Sequence, residues 1–348
     1  MSGPEAGSDL DWDRPVRDRL VLRSLRGVVD YLADELRLAG VDVAVRRPDR
    51  LAVDLDGPLS VLRRMHFFSE GAVDLGPVRP EGLAGEPFAR LDSSLHDGAL
   101  AALGPRPSFR VGEVGEARWR IRDQLVETWG WDNAPRSWQV NLDLVDGHLL
   151  ATLGALHLTR RQGRLERLPA STTPVLSAAV VRLAKVPDGA RVLDPFCGAG
   201  TNLLLAASMA RPASLLGSDV RGDAVAAAAR NARARGAEVL LARADATRLP
   251  LPGDAADRVV ANLPFGKRVG SHGGNQVLYP AFLRELDRVL AGDGRAVLLT
   301  EDKRLLVESL QRTRGLRIIK ETTYETGGAH PSAYVVVRSR GQARRRPR

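Results

Sequence analysis

"DPFCGAG", residues 194–200, runs straight out of Ala190-Arg191-Val192-Leu193 into "TNLLLAASMA" (201–210). An acid, a small thiol and two glycines are crowded between a short apolar run and a helical pattern. That marks the strand-to-helix turn of an open α/β sheet, where such sheets bind ligands. Gly198 and Gly200 let backbone approach a ligand closely. Upstream, "TPVLSAAVVRLAKV" (173–186) has helical spacing and stops at Pro187-Asp188-Gly189. Downstream come strand "SLLGSD" (214–219), an Ala-rich helix from Gly222 closed by Gly236, and strand "EVLLA" (238–242). The alternation continues with strand "DRVVAN" (257–262), helix "LYPAFLRELDRVLAG" (278–292), strand "RAVLLT" (295–300) and helix "DKRLLVESLQRT" (302–313). Strands "LRIIKETTY" (316–324) and "SAYVVVRS" (332–339) close the pattern with no helix between them. Seven strands in this rhythm predict a mostly parallel sheet covered on both faces, with one antiparallel strand at its edge.

The first 150 residues are less regular. "LRGVVDYLADELRLAG" (25–40) reads as an amphipathic helix, "VDVAVRR" (41–47) and "LAVDL" (51–55) as strands, and "PLSVLRRMHF" (58–67) as a helix. A Gly/Pro-rich interval near Pro77–Pro87 suggests an internal boundary. Beyond it lie strand "FRVGEV" (109–114), helix "ARWRIRDQLVETWGW" (117–131) and the hairpin "WQVNLDLVDGHLLATLG" (138–154), turning at Asp146-Gly147. "HLTRRQGRLERLPAS" (157–171) has the composition of a linker, and "RSRGQARRRPR" (338–348) that of a disordered basic tail.

With 348 residues, the chain is long enough for two domains with cores of their own. One cysteine excludes an internal disulfide framework, and six dispersed histidines lack paired ligand spacing, so no metal is expected. The polar, acidic N-terminus and the absence of a run of roughly 18 apolar residues predict a cytoplasmic protein without a membrane span. Residues 1–150 carry 19 Lys+Arg against 25 Asp+Glu, net −6, and residues 151–348 carry 32 against 17, net +15. A surplus of that size attracts polyanions such as nucleic acid. Its bland counterpart is a coding bias, since 47 of the 51 basic residues are arginine.

Three ligand classes compete for the Gly-rich turn. A P-loop is excluded, because no Gly-Lys-[Ser/Thr] follows. A nicotinamide site calls for Gly or Ala where Leu203 stands. S-adenosylmethionine has no phosphate, and its site relies on carboxylates instead. Asp194 and Asp219 end successive strands, suited to the methionine amine and the ribose hydroxyls, and Asp245 follows the third strand within reach of the adenine amine. Cys197 has no base beside it in sequence and reads as a small neighbour of the cofactor. At the fourth strand tip stands "NLPFGKRVGSHGG" (262–274). Asn262 offers a side-chain carbonyl, Pro264 leaves the backbone carbonyl before it free, and Phe265 offers a flat apolar face. Such a grip holds a planar group bearing an amine and aims its lone pair, with no strong general base required.

"DPFCGAG" together with "NLPFG" resembles the class I amino-methyltransferases of nucleic acids. "NLPFGKRVG…LYPAFLRELDRVL" resembles, more narrowly, the tRNA guanine-N2 methyltransferases built on a THUMP domain. The resemblance implies a Rossmann-like class I methyltransferase domain at 173–340. Before it would lie a ferredoxin-like segment at 15–75, a THUMP-like RNA-binding domain at 76–160 and a linker at 161–172; a basic tail at 341–348 would follow. It implies a cofactor set of Asp194, Phe196, Gly198, Gly200, Asp219 and Asp245, joined by Asn202 and Ala246, and an amine clamp of Asn262, Pro264 and Phe265. Arg268, Arg160 and Arg161 are candidate RNA contacts, and tRNA is the implied partner. Ribosomal RNA guanine, DNA adenine and protein glutamine remain as acceptors, and a non-catalytic RNA-binding protein with a vestigial pocket remains as a different class. The acidic N-terminal half departs from what an RNA-holding module calls for.

Overall fold

The computed structural model describes residues 10–78, 85–168, 171–264 and 272–339. The chain forms two compact units, Met1–Arg164 and Leu165–Arg348. Among the described residues the first unit holds β1 (Pro15–Arg23), α1 (Val29–Leu38), β2 (Val43–Arg47), β3 (Arg50–Pro58), α2 (Ser60–Arg63), β4 (Glu70–Pro77), α3 (Glu86–His96) and β5 (Ser108–Val111). It continues through α4 (Arg118–Trp129), β6 (Asp132–Asn133), β7 (Val140–Val145), β8 (His148–Leu153) and α5 (Leu158–Arg161). Its eight strands lie in the order β2-β3-β1-β4-β8-β7-β5-β6. β4 pairs with β1 on one side and β8 on the other, so one sheet runs through the division expected near residue 76. The β7–β8 hairpin turns where the Asp-Gly pair places it, with φ of 49° at Asp146 and 81° at Gly147.

The second unit holds α6 (Pro174–Ala184), β9 (Arg191–Asp194), α7 (Thr201–Met209), β10 (Ser214–Asp219), α8 (Gly222–Ala234), β11 (Leu240–Arg243) and β12 (Ala256–Asn262). After it come α9 (His272–Val289), β13 (Leu290–Thr300), α10 (Lys303–Gln311), β14 (Leu316–Thr323) and β15 (Ser332–Arg338). The strand order is β11-β10-β9-β12-β13-β15-β14. β9 through β13 pair in parallel, while β15 pairs antiparallel with both β13 and β14. The antiparallel strand therefore lies inside the sheet and not at its edge, which corrects the sequence expectation. The closing hairpin folds back so that the very apolar Ala333–Val336 run, buried throughout, sits next to β13 and leaves the charged β14 outside.

Burial explains the helices that carry the site. In α6 every residue from Val175 to Val181 is buried, a helix apolar all round and enclosed by its neighbours. Leu203, Leu204 and Leu205 of α7 are also buried, each stabilising the fold by roughly 1.5–3 kcal/mol. The turn from β9 into α7 is thereby held against the sheet. The basic tail at 341–348 lies outside the described residues.

Candidate active site

The Gly-rich turn is built on carboxylates. Asp194 ends β9, where its Oδ1 accepts the N–H of Phe196 and its Oδ2 accepts the Asn202 side-chain amide, both at 3.0 Å. Cys197 N–H donates to the Ser218 carbonyl (2.9 Å) and Gly200 N–H to the Cys197 carbonyl (2.7 Å), closing the loop onto β10. Gly198 has φ of +52°, and its N–H donates to Asp219 Oδ2 at 3.0 Å. The other Asp219 oxygen accepts the Arg221 N–H at 3.0 Å. Gly200, at φ +85°, caps α7 where a Cβ would stand 3.3 Å from the Ala228 Cβ. Further along, Asp245 Oδ1 takes the N–H and the hydroxyl of Thr247, both at 2.8 Å.

A cavity of about 520 Å³ opens across the tips of β9, β10 and β12, within the ~300–1,000 Å³ of small-molecule sites. Phe196, Gly198, Asn202, Asp219, Asp245 and Ala246 line it, as do Asn262 and Pro264 from the fourth strand. Two expected members do not. Asp194 is fully buried behind the wall, shielded by the Asn202 and Phe196 amides, and Gly200 faces α8. Asp194 therefore supports the turn rather than touching a ligand, and Asn202 is the residue that meets the cavity in its place.

Burial raises the Asp194 carboxyl from its ordinary 3.8 to about 7, against the lowering effect of its two hydrogen bonds and with some help from Asp219. The folded protein then keeps a proton that the unfolded chain loses. This contribution to stability is complete below about pH 4 and is lost as the pH rises through about 7. Relative to Asp194→Asn, the melting temperature of the wild type is expected to fall by about 3 °C per pH unit between pH 5 and 7, then run parallel. Thermal unfolding of both proteins across that range checks it, and a constant difference would contradict the shift. The same burial pushes the Cys197 thiol well up, so it stays protonated and does not act as a nucleophile.

The polar atoms left over in this wall are informative. Among the described residues the buried Asn202 Oδ1 and Asn262 Oδ1 find no hydrogen-bond partner, while both amide nitrogens are engaged. With Asp219 and Asp245, the cavity presents acceptors in search of donors. A phosphate, itself all acceptors, is a poor match. An ammonium, ribose hydroxyls and an exocyclic amine are a good one, so the donor set of S-adenosylmethionine fits. Ser177 of α6, wholly buried with an unpaired hydroxyl, also lines the cavity. Its signal in sequence was one polar residue inside the apolar run from Val175 to Val181.

At the β12 tip, Asn262 Nδ2 donates to Thr172 Oγ1 at 2.7 Å. The Pro264 carbonyl accepts two bonds of 2.8 Å, from the Asn275 amide and the Tyr279 hydroxyl, both side chains buried on α9. Thr300 in turn meets the Tyr279 oxygen at 2.8 Å. Burial pushes the Tyr279 phenol up, so it remains a donor. Sequence reading missed Thr172, Asn275 and Tyr279; the i, i+4 spacing of the last two on one helix was the available clue. Phe265 and Arg268 lie outside the described residues.

Arg161 is not an RNA contact. Its guanidinium donates to the carbonyls of Leu62, Met65, Phe68 and Leu156 at 2.7–3.2 Å and lies 3.6 Å over the Phe68 ring, so it ties α5 into the first unit. Arg160 is exposed and stacks on Trp138 with its centre 5.0 Å from the ring. Among the described residues no cluster of three acidic, His or Cys side chains gathers to hold a metal, and no helix is long and apolar enough to cross a membrane.

A sheet of this order, with a donor-seeking cavity over the tips of β9, β10 and β12, defines a class I, Rossmann-like methyltransferase domain. Residues 161–332 match the family described as RMKL-like, methyltransferase domain. It is 39% identical over 171 residues to a tRNA (guanine(6)-N2)-methyltransferase of Thermus thermophilus, covering 49% of this chain and 50% of that one. Human tRNA (guanine(6)-N(2))-methyltransferase THUMP3 is 31% identical over 186 residues, 49% of this chain and 37% of its own. The chain thus spans half or less of the length of these curated relatives. In three dimensions it resembles the crystal structure of TrmN from Thermus thermophilus, with TM-score 0.71 and 27% identity over 92% of this chain and 99% of that one. The methyltransferase SMU.472, solved with SAH, shares the fold at TM-score 0.70 and 17% identity, over 93% and 99% of the two chains.

Proposed function

We propose that this protein transfers a methyl group from S-adenosylmethionine to the exocyclic amine of a nucleobase in RNA, guanine N2 in tRNA before others. The observation that carries it is the Asn262 carbonyl oxygen, buried and without a partner, on the wall that also holds Asp219 and Asp245. When bound, S-adenosylmethionine supplies an electrophilic methyl on sulfur. Asp219 and Asp245 keep lone pairs for ribose and adenine donors, and Asn202 Oδ1 accepts from the amino-acid end. Asn262 Oδ1 accepts a hydrogen of the substrate amine and so turns its nitrogen lone pair into the cavity. Phe265, three residues on, stacks on the base. Positioning does most of the work, and the proton leaves to water after transfer.

Guanine is favoured because the relatives are named guanine-N2 methyltransferases, of tRNA at 39% identity and of U6 snRNA at 28%. Duplex RNA hides its base edges, so the target base is unpaired or flipped. The +15 charge of residues 151–348, Arg268 included, draws in the phosphates. In the first unit Trp119 is 60% exposed, with the Arg118 and Arg122 guanidinium groups 5.9 and 4.7 Å from its ring, which supports an RNA-stacking role there despite the net −6. A cytoplasmic site of action belongs to the same reading. Incubation with methyl-labelled cofactor and separate pools of tRNA, ribosomal RNA and DNA, followed by digestion to nucleosides, is expected to yield labelled N2-methylguanosine from tRNA. Label confined to DNA or to protein would refute it.

A further inference from the structure

We propose that Asn231 is a positioning residue that joins the Gly-rich turn to the segment around Glu166, so that cofactor binding tightens both together; this rests on the S-adenosylmethionine reading above. Asn231 is out of place by local rules. It stands inside the Ala-rich helix α8, where asparagine is a weaker helix former than the alanines around it. It is also only 3% exposed, and a buried amide is costly unless its hydrogen bonds are made. They are made, and entirely to main chain. Its Oδ1 accepts the Glu166 N–H at 2.8 Å, and its Nδ2 donates to the Glu166 carbonyl at 3.0 Å and to the Ala199 carbonyl at 2.9 Å. Backbone N–H groups only donate and carbonyls only accept, so these contacts allow the amide one orientation. Turned over, it would set NH₂ against N–H and its oxygen against two carbonyls.

The two partners belong to different parts of one cavity wall. Ala199 stands in the Gly-rich turn between Gly198 and Gly200 and lines the cavity. Leu168, two residues after Glu166, lines it as well, and its N–H donates at 2.8 Å to the hydroxyl of Ser171, another lining residue. Next to Asn231, Arg230 grips the Glu166 carboxylate through two bonds of 2.8 and 2.9 Å. That pair is exposed and worth little by itself, so the buried amide is the firm link. On its other side the turn is tied to Asp219 through the Gly198 N–H. A cofactor held by Asp219 restrains the turn, the turn holds Asn231 through the Ala199 carbonyl, and Asn231 holds Glu166 by both its N–H and its C=O. Coupling of this kind is reciprocal. The factor by which the cofactor steadies the Glu166 segment is the factor by which the steadied segment strengthens cofactor binding.

Two measurements on the full-length protein test this: calorimetry with S-adenosylhomocysteine, and hydrogen exchange read by mass spectrometry on peptides across residues 165–168. In the wild type, saturating S-adenosylhomocysteine is expected to slow exchange of the Glu166 and Leu168 amides by about tenfold. In Asn231→Ala the Kd for S-adenosylhomocysteine should rise by about the same tenfold, and exchange in the segment should be fast with or without the ligand. Arg230→Ala, which removes only the exposed ion pair, should stay within about twofold of the wild-type Kd. A merely structural asparagine would leave wild-type exchange at 165–168 indifferent to the ligand. A wild type that binds S-adenosylhomocysteine with no change of exchange there would overturn the proposal, and that measurement needs no variant to fold. So would wild-type affinity in Asn231→Ala, or ligand-induced slowing that persists in it. If the wild type takes up no S-adenosylhomocysteine at all, the cofactor reading has failed and the proposal falls with it.

Discussion

Asn262→Ala is expected to slow methyl transfer by about 10³-fold while leaving the affinity for S-adenosylhomocysteine within about threefold of wild type. The split follows from what the side chain touches. Its nitrogen is spent on Thr172, its oxygen is unpaired, and it shares no hydrogen bond with Asp219 or Asp245, the two carboxylates on the cavity wall. Truncation removes an acceptor needed only when the amine is being aimed. The loss should therefore appear in kcat and hardly at all in the first binding step. Single-turnover rates on tRNA, set beside calorimetry with S-adenosylhomocysteine, measure both quantities. Turnover near the wild-type rate would remove Asn262 from the reaction, and a matching fall in S-adenosylhomocysteine affinity would move it into the cofactor set.

The βα rhythm of the second unit was legible because each element declares its own period, and β9, β10 and β12 fall where "RVLD", "SLLGSD" and "DRVVAN" put them. The position of β15 was not, since strand order inside a hairpin depends on which strand is apolar enough to be enclosed. In the first unit β1 and β4 went unseen. Asp18 of β1 interrupts the inward-facing run of Val16, Leu20 and Leu22, and its purpose appears only when the Ser94 hydroxyl and the Ala99 N–H converge on its carboxylate. Arg161 misleads in the same way: an arginine in a polar linker looks solvated until three carbonyls 93–99 residues earlier in the chain converge on it. Spacing put Asp194 at a strand end, but whether it faces ligand or lies beneath Asn202 is decided by the turn of α7 that covers it.

Asp219→Ala should weaken S-adenosylhomocysteine binding by about 10²-fold, the largest expected effect on the cofactor side. The carboxylate has two tasks. It accepts the Gly198 and Arg221 amides, one on each oxygen, and so holds the Gly-rich turn in the left-handed conformation that brings backbone to the cavity. A carboxylate has about four acceptor sites, so two remain for a pair of ribose hydroxyls. Hydrogen bonds to a charged group are worth about 1.5–3 kcal/mol each, and losing two of them costs at least the factor expected. Asp219→Asn separates the tasks. Its single carbonyl can still receive Gly198, and its NH₂ meets the Arg221 amide as a poor neighbour. Binding should then fall by about tenfold, with the thermal stability of the ligand-free protein closer to wild type than that of Asp219→Ala. Equal losses of affinity in the two variants would mean that the ribose contacts alone account for Asp219. Wild-type affinity in either would mean that the cofactor lies elsewhere in the cavity.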